Sequence, residues 1–217
     1  MSVATVEKLL FSAEDVRSIV ELKIKIERIT SEFKNSFREF VKSEIVSNLN
    51  VTATTLISTE ANLENGIVVA GGCFASWYHG ESANDIDIFL LESVDTTIIQ
   101  NYFLHLNKDL DGNRITTHDA DYFSKFSTKQ EKITCTWKDS KTAIQVIATT
   151  FKTKKELLDH FDFVHCCMNY HNGQLHVSPR VLDAIKTKTL IQNCAEDNFS
   201  VLKSRREDKY KKRGYKY

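Results

Sequence analysis

Hydrophobic and polar positions along this chain repeat with two different periods, and the switches between them mark its elements. Ile19, Leu22, Ile26, Ile29, Phe33, Phe37 and Phe40 recur every three or four residues, which makes one apolar face of a long helix. Phe11-Ser12-Ala13-Glu14-Asp15-Val16 opens it as a hydrophobic staple around a capping box, with Ser12 as N-cap and Asp15 at the third helical position. Such a stripe packs on the rest of its own domain; a seam between two copies of the helix is the alternative use. Residues 66–70 read as a short buried strand, 73–79 as a short helix and 85–91 as a second strand. Asp95 opens a helix through Leu106, and residues 111–131 are polar and predict loop. "ITCTW" and "TAIQVIATTF" predict two strands around the turn "KDSK". Thr153 and Glu156 make a second capping box, before a short helix ending near His160. "DFVHCCMNY" and "QLHVS" predict a hairpin around His171-Asn172-Gly173, because Asn-Gly readily adopts positive φ. Ser178-Pro179 supplies an N-cap and a first helical residue, and a basic final helix begins near Phe199. There is no internal repeat.

Composition adds limits to this pattern. A chain of 217 residues holds one domain with an appendage and buries a real core. With 41% hydrophobic and 27% charged residues it has the make-up of an ordinary globular protein. One proline and seven glycines argue against long low-complexity linkers. No apolar run approaches the roughly 20 residues that cross a bilayer, and "MSVATVEKLLFSAEDV" lacks the marks of a secretion signal, so no membrane partner is expected. Five cysteines, at positions 73, 135, 166, 167 and 194, are odd in number and show no CxxC spacing. Free thiols in a reducing compartment, the cytoplasm, fit them better than a disulfide framework. The net charge of zero hides an asymmetry: Lys203 to Tyr217 holds eight basic and two acidic residues, +6, against −6 for the remainder. Such a run either meets phosphates of a nucleotide or nucleic acid or simply solvates an exposed helix, and charge alone leaves both readings open.

The chemistry concentrates in "IVVAGGCFASWYHGESANDIDIFLLES", residues 67–93. An apolar strand ends in Gly71 and Gly72, and the next strand begins with Asp85 and Asp87. Side chains alternate along a strand, so both carboxylates point to one face, where they repel each other and resist desolvation. A divalent cation resolves that conflict, and hard oxygen ligands favour Mg²⁺, which keeps waters and takes substrate phosphates as its remaining ligands. Glycines at a strand end let a phosphate approach the backbone, and the following helix start offers free N–H groups. Phosphate cradle and metal ligands therefore fall at the same end of adjacent strands.

"GGCFASWYHGESANDIDIF" resembles the signature of the DNA polymerase β-type nucleotidyltransferase superfamily, a Gly-Gly or Gly-Ser turn, a helix, then Asp-x-Asp. Within it, the chain looks most like a group found in phages, large viruses and some cellular genomes, with "IQVI", "FDFVHCCMNY" and "KYKKRGY" as further matches. The resemblance covers roughly residues 64–217. It implies an α/β (α+β) fold, a small mixed twisted sheet with a long N-terminal helix and C-terminal helices. The corresponding division is 1–60 as helical segment, 61–152 as nucleotidyltransferase core and 153–217 as an extension with a hairpin and a basic helix. It also implies transfer of a nucleoside monophosphate from an NTP to a hydroxyl acceptor, with Mg²⁺ or Mn²⁺ as cofactor held by Asp85 and Asp87. Gly71, Gly72 and Cys73 would then hold the triphosphate, joined by Gln145, Lys209 and Arg213; the basic C-terminal helix tilts the acceptor towards RNA over protein or a small molecule. Host cytoplasm is the implied location for a viral member.

Two departures from the family pattern open a second reading. A serine often follows Gly-Gly in the superfamily, whereas Cys73 is a much weaker donor. The third carboxylate expected on a later strand falls at Gln145, which is neutral; Asp162 in "FDF" is the candidate replacement as a catalytic group, with capping of backbone amides as its plain alternative. A catalytically silent nucleotide- or protein-binding module is the competing class. His165, Cys166, Cys167, His171 and His176 carry zinc-capable atoms, but adjacent residues on a strand face opposite ways, which disfavours one four-ligand site. His118, Asp119 and Asp121 read as polar loop before a second acidic ligand set. Trp77 and Tyr78 read as core, and Tyr210 or Tyr215 as candidates for stacking a base among basic residues. Oligomeric state, base preference and acceptor are not written in these patterns.

Overall fold

The computed structural model describes residues 11–47, 65–94, 116–118, 134–138, 143–193 and 200–217. Helix α1 (Ala13–Ser47) is the one the apolar stripe predicts. Its capping box closes both ways: the Ser12 hydroxyl oxygen accepts from the Asp15 N–H at 3.1 Å, and the Asp15 carboxylate accepts from the Ser12 N–H at 3.1 Å. Leu22, Ile26, Phe37 and Phe40 are buried within the chain's own core. Each fully buried side chain of this kind contributes roughly 1.5–3 kcal/mol of transfer free energy.

The elements that follow are β1 (Ile67–Ala70), α2 (Gly72–Tyr78), β2 (Asp85–Leu90), β3 (Thr116–His118), β4 (Thr134–Lys138), β5 (Ala143–Ala148) and α3 (Lys154–Asp159). After them come a 3-10 turn (Val164–Cys166), β6 (Asn169–His171), β7 (Gln174–His176), α4 (Pro179–Lys186) and α5 (Ser200–Lys212). The strands build one mixed sheet in the order β3-β4-β5-β2-β1-β6-β7. β2 and β5 run parallel, while the other described pairs of strands in the sheet are antiparallel. Period-two alternation then separates two faces. Ile67, Val69, Ile86, Ile88, Leu90 and Val146 pack under α1, α2 and α4. Val68, Ala70, Phe89 and Ile147 face the other way, against Leu157 of α3 and Phe151 and Phe161. Asp85 and Asp87 share that second face, beyond the end of its apolar cover. The α/β class is as expected, and among the described residues no helix is long and apolar enough to cross a membrane.

Several details differ from the pattern. "DFVHCCMNY" is not one strand: Phe163 bridges Gln192, the chain tightens through the 3-10 turn, and pairing resumes only at Asn169. The backbone is satisfied locally there, since the Cys166 N–H reaches the Phe163 carbonyl at 3.1 Å and the Val164 N–H reaches that of Ile191 at 2.9 Å. Thr116–His118, expected as loop, is an edge strand on β4, consistent with its two β-branched threonines. Asn172 and Gly173 do take positive φ, +50° and +71°, at the hairpin. The expected helix from Asp95, Asp119 and Asp121 lie outside the described residues.

A third cluster docks α5. Phe163, Cys166, Leu190, Tyr210 and Tyr215 are buried together, and the fully buried His165 ring lies 4.2 Å from the Tyr210 ring and 4.4 Å from that of Tyr215. Tyr210 and Tyr215 are therefore core and not free to stack a base. Burial, then the Arg213 charge, lowers the His165 pKa from 6.5 to about 4.

Two pH effects follow from buried groups. Asp15 joins three helices, accepting from Tyr78 of α2 at 3.2 Å and pairing with Lys186 of α4 at 2.8 Å. Lys186 first, then Ser12, lower its pKa from 3.8 to about 2. A folded pKa below the unfolded one gives stability that is present above pH 3.8 and lost as pH falls towards 2. Asp15→Asn should melt at a lower temperature at pH 7 and lose less than the parent between pH 4 and 2. For His165 the sign is the same but the window is higher: stability should fall from pH 6.5 towards 4, because only the unfolded chain takes up that proton. Urea unfolding of His165→Leu against the parent at several pH values checks this, with a flatter profile expected for the variant.

Candidate functional site

Residues at the β1–β2 corner come together as the alternation requires. In β2, Asp87 is the register partner of Ala70 on one side and of Gln145 in β5 on the other. Asp85 lies two residues earlier on the same face, opposite Ala143. Both carboxylates are half-buried, as is Gln145. Gly71 turns β1 into α2 with φ +104°, a conformation a side chain resists, and a Cβ there would lie 3.0 Å from the Asp87 Oδ2. The Gly71 N–H is engaged, donating to the Cys166 carbonyl at 3.0 Å. Cys73 is buried behind the corner, and burial followed by the charge of Asp87 pushes its thiol well above the usual range. That thiol is no substitute for a serine hydroxyl at a phosphate.

Helix α5 crosses this corner and supplies the opposite charge. Lys209 Nζ lies 4.0 Å from Asp85 Oδ2. Beside the pair is an open cleft of about 520 Å³ lined by Asn84, Arg205, Asp208, Lys209, Lys212 and Arg213. Four of those six side chains are cationic, so the cleft is suited to a polyphosphate or a strand of phosphates. Arg213 is steadied from beneath, donating to the Ser76 hydroxyl of α2 at 3.4 Å, with its guanidinium 6.0 Å from the Tyr210 ring centroid.

The sequence candidates are thus partly assembled. Asp85, Asp87, Gln145, Gly71, Gly72, Cys73, Lys209 and Arg213 gather around the corner. Asp162 is buried on the loop before the 3-10 turn, and its carboxylate is held by Arg206 of α5 at 2.6 Å. Service as a third metal ligand would require it to give up that pair. Among the described residues no three His, Cys, Asp or Glu side chains converge as a ready metal cluster, so the zinc alternative finds no such set. Reading by residue missed Arg205 and Lys212, although their four- and three-residue spacing from Lys209 puts them on its face of a helix. Asn84 and Arg206 were missed because only the fold brings them here, and Tyr210, read as a base-stacking candidate, instead lies buried beneath α5.

The two carboxylates fit a divalent cation by their chemistry. Their oxygens are hard, they share a face, and the neutral amide oxygen of Gln145 is in register beside them. Two carboxylates and one amide leave about half of an octahedral shell to water and to oxygens of a bound phosphate.

Among solved structures, the chain is similar to a tRNA nucleotidyltransferase complexed with a primer tRNA and an incoming ATP analog, at 16% identity and a TM-score of 0.40, covering 58% of this chain and 34% of that one. A CCA-adding enzyme with ATP gives 17% identity and 0.44, covering 77% and 35%. The Thermotoga maritima CCA-adding enzyme complexed with tRNA gives 17% and 0.42, covering 65% and 33%. The chain spans about a third of the length of these proteins. No curated protein matches it in sequence. The model of the Gabija anti-defense 2 (Gad2) family matches residues 31–188, well over half of the chain, and the chain belongs to that family.

Proposed function

We propose that this chain is a metal-dependent nucleotidyltransferase, moving a nucleoside monophosphate from an NTP to a hydroxyl acceptor, and that the transfer serves the counter-defence role carried by the family's name. The observation that supports it most is the shared face of Asp85, Asp87 and Gln145 beside a cationic cleft. Asp85 and Asp87 would hold Mg²⁺ or Mn²⁺, with Gln145 as a neutral neighbour. Bound there, the ion supplies charge neutralisation at the phosphates and a lowered pKa for the attacking hydroxyl.

The remaining work falls to the chain's own groups. Lys209 and Arg213, with Arg205 and Lys212, orient the triphosphate and offset the charge that develops on the leaving pyrophosphate. With the Gly71 N–H engaged, the amides of Gly72 and Cys73 at the start of α2 are the backbone donors left for phosphate oxygens. Asn84 places an amide at the rim, next to Asp85. RNA is the favoured acceptor, because the excess of positive charge from Lys203 to Tyr217 attracts a phosphate backbone.

A second reading, a silent module that binds nucleotide without turning it over, draws on Gln145 and on the buried Cys73. Incubation with each α-³²P-NTP and total RNA or protein separates the two. Label should enter one acceptor fraction, and Asp85→Asn with Asp87→Asn should abolish it while leaving the melting temperature almost unchanged, since relief of repulsion offsets lost contacts. Nucleotide bound without label transfer in the parent would favour the silent module. Adding the missing charge gives a complementary test: Gln145→Glu should tighten Mn²⁺ binding on the order of tenfold, read by electron paramagnetic resonance, because affinity follows ligand charge.

A further inference from the structure

Gly72 differs from Gly71 in a way that changes the meaning of the glycine pair. Gly71 has positive φ, whereas Gly72 does not and sits in the first turn of α2, where alanine is the better helix former. The obstacle to a side chain at 72 is instead one atom: a Cβ there would lie 3.0 Å from the Tyr210 hydroxyl oxygen, with the next ring atoms at 3.8 and 3.9 Å. Tyr210 has little freedom to retreat. It is buried, its ring meets those of Phe163, His165 and Tyr215 edge-on, and its hydroxyl is 3.0 Å from the Cys166 Sγ.

Among the side chains described for α5, Tyr210 is the buried one. Arg206, one turn earlier on the same side, holds Asp162. Those two contacts hold the middle of the helix on the core, while Arg213 on Ser76 and the backbone pairs of Lys216 with Lys188 and Leu190 hold its end. Lys209, the residue before Tyr210, then falls at Asp85, and Arg205 and Lys212 fall on the cleft. A shift of the tyrosine by a few tenths of an ångström is carried directly to its neighbour, because both belong to one rigid turn.

We infer that Gly72 is glycine to seat the Tyr210 hydroxyl, and that Tyr210 is the positioning residue that registers the basic cleft against Asp85 and Asp87. The inference rests on the reading of the cleft as a phosphate site. A glycine kept only for close approach of a phosphate makes the opposite forecast, because such a glycine is not relieved by changing a tyrosine.

The test is a double-mutant cycle on Gly72→Ala and Tyr210→Phe, with two readouts: inorganic triphosphate binding by calorimetry and amide hydrogen exchange across α5. Tyr210→Phe alone loses one hydrogen bond and should bind triphosphate within about threefold of the parent. Gly72→Ala alone should weaken binding about tenfold and speed exchange in α5, and the double variant should return to within about threefold of Tyr210→Phe in both, a coupling expected only of groups in contact. A double variant as impaired as Gly72→Ala overturns the seat. Exchange restored without binding overturns the positioning role. A parent that binds no triphosphate removes the phosphate reading of the cleft and the positioning role with it, while the exchange data still decide whether Gly72 seats Tyr210.

Discussion

Two like charges on one side of a short strand are the constraint around which this molecule is arranged. Asp85 and Asp87 are held in phase by ladders on both sides of β2, so neither can turn away without breaking the sheet. Their repulsion has to be met by positive charge from outside the sheet. α5 brings that charge, with Lys209 near one carboxylate and three further cations around the cleft. Both members of the Lys209–Asp85 pair are more than a third exposed, so the contact adds little to stability. Its importance is local: it leaves the corner balanced and still open to an ion with its own ligands.

The same constraint bears on the residues at the corner that differ from the nucleotidyltransferase signature the sequence resembles. Gln145 occupies the register position next to Asp87, placing an amide beside the two carboxylates and adding no third negative charge. Cys73 fills the interior behind the corner as a small apolar side chain, where a charged thiolate is disfavoured by burial and by Asp87. Asp162 carries a charge of the right sign but is bound to Arg206 and anchors the helix instead.

Much of this was legible in the sequence where the signal is local. Ser12 and Asp15 announced α1, Asn172-Gly173 announced the hairpin, and the alternation in "DIDIF" set the face shared by the two aspartates. The cleft was half legible: Lys209 and Arg213 stood out as charge, while Arg205 and Lys212 needed the helical spacing to be applied to a polar helix with no apolar stripe to orient it. The 3-10 turn at Val164–Cys166 and the pairing of Asp162 with Arg206 were not legible, because both depend on partners 27 to 44 residues away (Ile191, Arg206) that no local period encodes. The burial of Tyr210 and Tyr215 was hidden for a related reason, since aromatic residues among lysines look like surface until the cavity that receives them is known.

Cys166 has a part in this that its weak chemistry would not suggest. Its carbonyl takes the amide of Gly71, and its sulfur meets the hydroxyl of Tyr210. The end of β1 and the last helix are thereby linked in series through one residue, a short load path between two remote parts of the chain. Burial is also what preserves that link, because the thiol, its pKa pushed up to about 11, stays protonated beside the Tyr210 hydroxyl near neutral pH.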